Sequence, residues 1–129
     1  MLSEDIMKKV LISQKAEITE HYIYKKLAQA IKDTHNRDIL LRIANDELRH
    51  YKQWQKYTGK EVKPDMAKVW FYYLVSRFFG ITFGIKLMEK GEGKAQINYR
   101  EIAESIPEAV AIAEDEEKHE EELVGMIEE

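Results

Sequence analysis

The sequence predicts an all-α domain, a four-helix bundle built from two related helical hairpins that are joined by a helical crossover. Three observations support this class: the composition, the helical spacing of apolar residues, and an octet that occurs twice. Only six Gly and two Pro occur among the 129 residues, and a scarcity of helix-breaking residues favours long helices. A chain of this length forms one domain, residues 1–129.

Capping residues and the apolar period place the first two helices. Ser3 is a good N-cap for a first helix that runs to about Asp33. Asn36 can cap a second helix, which stops near Gly59 because glycine commonly follows a helix end. Residues 60–64 are expected to form a loop.

Residues 66–88 are the most apolar part of the chain, and Asp65 can cap a helix there. The apolar run is interrupted by Ser76 and falls short of the roughly 20 residues that span a membrane. A buried or interface-facing helix is the better interpretation, with a membrane-surface contact as the alternative. Gly80 and Gly84 mark a bend or a close helix contact, unless they are merely tolerated in a packed helix.

The second hairpin is expected at about residues 83–128. Its first helix covers about residues 83–103. Its last helix opens with a capping box, Ser105 with Glu108 three residues later, and runs to the end of the sequence.

An octet occurs at Ile43–His50 and again at Ile112–His119, and both copies read Ile-Ala-x-Asp-Glu-x-(Arg/Lys)-His. Each copy places a Glu three residues before a His, so that both side chains lie on one helix face. A single Glu-x-x-His is weak evidence, because such pairs are common on solvated helices. Two facing pairs supply half of a dinuclear metal site in a helix bundle.

A dinuclear site of this kind needs one more Glu from each of the other two helices, and Glu17 and Glu92 lie near the middles of those helices. Tyr24 follows Glu17 by seven residues, and Tyr99 follows Glu92 by seven. Seven residues are two helical turns, so each Tyr shares a face with its Glu and can offer its hydroxyl to a carboxylate of the site. Either Tyr alone would be assigned to an amphipathic core.

The predicted ligands balance the charge of two divalent cations. They are four glutamates and two neutral histidines: Glu17, Glu47, Glu92, Glu116, His50 and His119. Glu89, one turn before Glu92, offers a seventh ligand. The matching residue of the first hairpin is Gln14, so the two metal positions are not equivalent. Glu20 and His21 are expected at the surface, with Glu20 as the second choice of ligand.

The order of these ligands resembles that of the rubrerythrin group of the ferritin-like superfamily: a single Glu, Glu47-x-x-His50, Glu89-x-x-Glu92 and Glu116-x-x-His119. The residues around Glu17 and Glu89 are similar to the ferritin-like domain found in front of membrane iron transporters of the vacuolar iron transporter type. The resemblance implies a ferritin-like four-helix bundle that binds two irons, which react with O2 or H2O2.

Rubrerythrins also carry a rubredoxin iron held by four cysteines, whereas this chain has no cysteine. A peroxidase cycle would therefore need an external electron donor. The predicted function is oxidation of Fe(II) by O2 or H2O2 in iron handling or oxidant defence, with the glutamates as catalytic ligands. The alternatives are an iron-binding sensing or docking domain for a membrane iron transporter, without turnover, and a bundle whose charges are solvated. Manganese accepts the same ligands.

Charge and termini bear on partners and location. The net charge is −4 and no basic stripe occurs, so nucleic-acid binding has little support. The first residues do not form a signal peptide, and a cytoplasmic location is expected. The aromatic content of residues 69–83 predicts a homodimer. The dimer would be domain-swapped if residues 66–103 formed one continuous helix.

Overall fold

A computed structural model describes residues 2–92 and 96–128, with side chains described for residues 2–88 and 99–126. Within these residues the chain forms helices and no strand, so the predicted all-α class is confirmed. The helices are α1 (Glu4–Ala30), α2 (Thr34–Thr58), α3 (Met66–Phe79), α4 (Ile81–Glu92), α5 (Gln96–Ala103) and α6 (Glu108–Glu128).

Three predicted helix ends are confirmed. Ser3 caps α1 by accepting a hydrogen bond from the backbone N–H of Ile6 at 3.1 Å. Gly59 ends α2 with a left-handed φ of 65°, a conformation that costs glycine little. Asp65 caps α3 by accepting from the Lys68 N–H at 3.2 Å. The expected loop between α2 and α3 is therefore present.

Two other helix ends were predicted wrongly. The first helix ends at Ala30, and Asp33 rather than Asn36 caps α2, accepting from the His35 N–H at 2.9 Å. A carboxylate is as good a cap as an amide, and the pattern alone did not choose between them. In addition, the last helix begins at Glu108, three residues after Ser105, so Ser105 does not open it as the capping box predicted. In the turn before this helix, Ala109 N–H donates to the Ile106 carbonyl at 3.0 Å.

Gly80 and Gly84 have the two roles expected of them. Gly80 separates α3 from α4 with a φ of 95°, where a side chain would be strained. Gly84 packs so closely on α3 that an added Cβ would collide with the Ser76 hydroxyl. The helices therefore fold back against each other, and the break at Gly80 excludes one continuous helix over 66–103. The predicted helix over 83–103 includes residues 93–95, which lie outside the described residues, so its continuity stays a prediction.

Two apolar layers close the ends of the bundle. The first apolar layer contains Ile23, Tyr24, Leu27, Ala28, Leu40, Ile43, Ala44, Val69, Ile85, Met88, Leu123 and Met126. The second apolar layer contains Val10, Trp54, Tyr99, Ile102, Ile106, Ala109 and Ile112. In α1, α2 and α6 a polar segment lies between the residues of the two layers, and it carries Glu17 and the Asp-Glu-x-x-His part of both octets.

The layers also give the direction of each helix. α1 passes from Val10 in the second layer to Leu27 in the first, and α6 runs the same way. α2 returns from Leu40 to Trp54. α4 contributes to the first layer and α5 to the second, so this part of the chain runs in the direction of α2.

The connection between α2 and α3 runs along α1 from the second apolar layer toward the first. Gln14 is fully buried, donates to the Lys60 carbonyl at 2.8 Å and accepts from the Thr58 hydroxyl at 2.7 Å. One and a half turns later, the Thr19 hydroxyl accepts from the Asp65 N–H at 3.0 Å. α3 then packs on α1 and α4, so the crossover carries the chain back to the first layer.

Candidate metal centre

Three helices bring four predicted ligands together in the polar layer between the apolar layers. α1 supplies Glu17, α2 supplies Glu47 and His50, and α6 supplies Glu116. Each offers one ligand atom, and these atoms all lie within 4.8 Å of one another. His119 adjoins this group, since its Nδ1 lies 3.1 Å from Glu47 Oε1. The helical i, i+3 spacing inside each octet explains why Glu and His arrive together.

Both imidazoles are oriented by an aspartate of the opposite octet. His50 Nε2 lies 2.9 Å from Asp115 Oδ2, and His119 Nε2 lies 2.8 Å from Asp46 Oδ2. An Nε2–H donated to an aspartate leaves Nδ1 facing the glutamates. Carboxylates that fix the tautomer and direction of a ligating histidine in this way are characteristic of metal centres.

Arg49 ties the two aspartates together at the surface. Its Nη2 lies 3.2 Å from Asp46 Oδ1 and 3.0 Å from Asp115 Oδ2. The side chain is more than half exposed, so each ion pair contributes only about 0–1 kcal/mol. The contact nevertheless positions both aspartates against their histidines.

Glu17 is held at both oxygens. The Tyr99 hydroxyl donates to Oε1 at 2.9 Å, and His50 Nδ1 lies 3.2 Å from Oε2. Tyr99 was expected to serve a carboxylate of the site, and the one it contacts belongs to the other hairpin. Burial, followed by the charges of Glu17 and Glu116, raises the pKa of Tyr99 well above its usual value, so the hydroxyl stays a donor.

Burial and the charges within the cluster shift the pKa values of its own glutamates and of His50. Burial, followed by Glu17 and Glu116, raises the pKa of Glu47 well above its usual value. Burial and Glu116 also raise the pKa of Glu17, against the lowering effect of His50. For His50, burial lowers the pKa, but hydrogen bonds to Glu116 and Glu17 outweigh burial and raise the pKa to about 10. Without metal, a proton on His50 therefore neutralises part of the carboxylate charge.

Four buried atoms of the facing octets make no well-oriented hydrogen bond, although Glu47 Oε1 and Glu116 Oε1 lie 3.1 and 3.3 Å from an imidazole nitrogen: Glu47 Oε1, Glu47 Oε2, Glu116 Oε1 and His119 Nδ1. All four are good metal ligands and all belong to the facing octets. Unpaired buried carboxylate oxygens are costly, and a cation would remove that cost. The donor set, oxygen with two imidazole nitrogens, fits a divalent transition metal. A buried Glu/His group that can hold a metal ion is thus present.

Other predicted site residues lie elsewhere or are not described. The side chains of Glu89 and Glu92 fall outside the described residues, so their role as ligands stays a prediction. Tyr24 is buried in the first apolar layer, and its contact with the site also stays a prediction. Gln14, the residue of the first hairpin that matches Glu89, contacts Thr58 and Lys60 and so holds the α2–α3 loop.

The surface placement expected for Glu20 and His21 was wrong. His21 is buried, and its Nδ1 lies 2.7 Å from the Ala44 carbonyl, a contact that joins α1 to α2. Glu20 is half-buried and lies close enough to Glu47 to raise the pKa of that carboxyl further. Glu20 follows Glu17 by one helical turn, which puts it on the face that lines the site.

Sequence reasoning missed Asp46 and Asp115. Both stand at the same position of the repeated octet, immediately before the Glu. That repetition was a usable signal: each ligating histidine needs a hydrogen-bond acceptor for its second ring nitrogen, and the repeated aspartates are the available carboxylates.

No family model, no curated protein and no solved structure matches the chain. The resemblance to the rubrerythrin group therefore stays a prediction. No helix in the described part of the chain is long and apolar enough to cross a membrane.

Proposed function

We propose that the protein is a ferritin-like di-iron carboxylate protein that binds two irons and oxidises Fe(II) with O2 or H2O2. The observation that carries this proposal is the buried layer in which two copies of one octet face each other across Glu17. Five titratable side chains converge there, and the buried unpaired atoms are metal-ligating types. A bundle stabilised only by apolar contacts would gain nothing from such a layer.

The arrangement of the helices supports the ferritin-like part of the proposal. α1 and α2 form one hairpin, and α4, α5 and α6 contribute the second half. The crossover through α3 makes α2 and α4 run in the same direction, as two hairpins joined by a long connection require.

The residues divide the work in the following way. Glu47 and Glu116 lie at the centre of the cluster and would bridge the two metal positions. Glu17, held by Tyr99, would be a terminal ligand, and Glu92 is the matching residue of the second hairpin. His50 and His119 would each bind through Nδ1, with Nε2–H donated to Asp115 and Asp46.

Two bound Fe(II) ions would together supply the two electrons that, with two protons, reduce O2 to H2O2 or H2O2 to two waters. The chain's own groups manage the proton that binding displaces. His50 must lose its proton to become a ligand, and the half-buried Glu20 interacts with Glu47 of the cluster. The apolar layers on either side keep bulk water away from the cluster.

The test is an anaerobic Fe(II) titration followed by exposure to O2 and, separately, to H2O2. Two irons per chain and repeated oxidation of excess Fe(II) are expected, and the faster oxidant identifies the co-substrate. Glu47→Ala and Glu116→Ala should lose both properties. Glu114→Ala, a substitution of an exposed carboxylate on the same helix as Glu116, should retain them.

The outcomes separate the alternatives. If the protein bound two irons tightly but oxidised them only once, an iron-binding sensor or docking domain would be the correct interpretation and an oxidase would not. Weak binding that is equal in the wild type, Glu47→Ala and Glu114→Ala would remove the metal centre altogether.

A further inference from the structure

The outer side of α3 is as apolar as its inner side. Val69 points inward and is completely buried in the first apolar layer. The opposite side presents Trp70, Leu74 and Phe78, at successive i, i+4 positions that form one stripe, and all three are exposed. A helix that is hydrophobic all round is normally covered on every side.

The exposed stripe continues onto α4. Phe79, at the end of α3, is 71% exposed and contacts Phe83 with ring centroids 5.5 Å apart. We name the six exposed side chains on this side the aromatic face: Trp70, Phe71, Leu74, Phe78, Phe79 and Phe83. Side chains of this size bury 150–250 Å² each, so the exposed part of the aromatic face amounts to about 650 Å².

That area exceeds what a monomer usually leaves bare and is close to what a stable dimer buries. The largest apolar patch of a typical monomer is about 300–600 Å², and a standard interface buries about 800 Å² per partner. With a polar rim around the aromatic face, one copy of this chain would therefore offer the area that a dimer needs.

A pocket adjoins the aromatic face and makes it self-complementary. The pocket has a volume of about 450 Å³ and lies where the end of α1 meets the α3–α4 junction, between Leu27, Ile31 and Ile81. Phe78 forms part of both the pocket and the aromatic face. A two-fold interface requires a protruding group and its receptor on the same surface, and Phe79 beside this pocket meets that requirement.

We infer that the aromatic face is the interface of a two-fold homodimer, in which α3 of one copy packs against α3 of the other and an aromatic side chain enters the partner's pocket. The hairpins are not exchanged, because Gly80 turns α4 back against its own α3. This inference does not depend on the metal centre, which lies between α1, α2 and α6.

The charge distribution favours a second copy over a charged partner. The six side chains of the aromatic face carry no charge. Cations lie at its margin, among them Lys26, which lies 3.9 Å from the centroid of the Trp70 ring, and Arg77 at the pocket. An apolar surface that contains no charge pairs with an identical surface without leaving an ion unpaired.

The test is sedimentation velocity of the purified chain over a wide concentration range, with the wild type, Phe78→Glu and Val110→Glu. Phe78 is 78% exposed and Val110, in the first turn of α6, is 52% exposed, so both variants should fold. The wild type and Val110→Glu should dimerise equally. Phe78→Glu should weaken dimerisation at least about 30-fold, as expected of a side chain at the centre of an interface.

Each other outcome overturns the inference. A wild type that is monomeric at all concentrations has no such dimer, and a Phe78→Glu variant that dimerises normally uses another surface. A monomer that sediments with vesicles of mixed neutral and anionic lipid, and no longer does so after Phe78→Glu, assigns the aromatic face to a membrane surface. Iron stoichiometry measured on Phe78→Glu should equal that of the wild type, which separates this result from a failure of the metal centre.

Discussion

The two octets have the same sequence pattern but unequal surroundings. Each sends its Asp to the other's His at nearly the same distance, 2.8 and 2.9 Å. Glu47, however, is completely buried, whereas the Glu116 side chain keeps 14% of its exposure. Among the described side chains, His50 Nδ1 lies within 3.6 Å of three glutamates, whereas His119 Nδ1 lies 3.1 Å from Glu47 and 4.0 Å from Glu116.

Within the described part of the chain, the inequality comes from α1. Glu17 lies against the His50 side of the cluster, and Glu20 adds another carboxylate near Glu47. A repeated octet therefore determines the pairing of the two halves, while among the described side chains α1 adds carboxylates beside His50 and Glu47. If this inequality affects metal binding, equivalent substitutions in the two octets will have unequal effects.

The largest effect is expected from the central glutamates. Glu47→Gln and Glu116→Gln should each lower the affinity for Co(II), a redox-stable probe, by more than the 10–100-fold that loss of an outer-shell partner costs. Glu47→Gln should be the more severe, because Glu47 is completely buried in the cluster and Glu116 is not. Isothermal titration calorimetry measures both affinities, and equal losses would mean that the halves are functionally equivalent.

The metal-free proteins give an independent comparison. Burial raises the pKa of Glu47 well above 4.5, so Glu47 lowers stability at neutral pH, where the unfolded chain would ionise it freely. Glu47→Gln should therefore raise the Tm at pH 7 by about 4 °C, the shift that ~1 kcal/mol produces in a domain of this size. The gain should disappear as pH falls toward 4.5, and a lower Tm at pH 7 would contradict the cause given for the raised pKa.

The two aspartates should also differ in their effect on metal affinity, with the larger loss at Asp46, which contacts His119. Asp46→Asn and Asp115→Asn should each weaken Co(II) binding about 10–100-fold. Asp46→Asn should lie at the upper end, because His119 lacks the contact with Glu17 that also holds His50. The Co(II) absorption spectrum should change in both variants, which a purely structural role would not require. Asp38→Asn, an exposed substitution on α2, should leave affinity and spectrum unchanged.

The outcome for individual residues shows what the sequence could and could not predict. The i, i+3 pairs were predictable because helix geometry fixes them locally, and so were Gly59 and Gly80, where the chain had to turn. The contacts of Asp46 with His119 and of Asp115 with His50 were not predictable, because they depend on how α2 and α6 approach each other. His21 was misassigned for a similar reason: burial against the Ala44 carbonyl depends on the packing of α1 on α2.

Metal affinity should rise with pH because of His50. Its folded pKa is about 10, raised from 6.5, so its proton stabilises the metal-free fold below pH 6.5 and is lost as pH passes about 10. A metal must displace this proton, so affinity should increase up to about tenfold per pH unit below 10. Titrations with Co(II) at pH 7.5 in buffers of different ionisation enthalpy should report at least one proton released. Buffer-independent enthalpies would contradict this prediction.

The smallest effect is expected at the surface, where the octets differ by Arg49 and Lys118. Arg49 contacts both aspartates, and among the described residues Lys118 forms no ion pair. Since exposed ion pairs are worth about 0–1 kcal/mol, Arg49→Gln should weaken Co(II) binding by up to about fivefold. Lys118→Gln should have a smaller effect. High salt should remove the difference between Arg49→Gln and the wild type, because screening reduces exposed charge interactions. A loss that persists in high salt would mean that Arg49 holds the two aspartates through the geometry of its hydrogen bonds rather than through its charge.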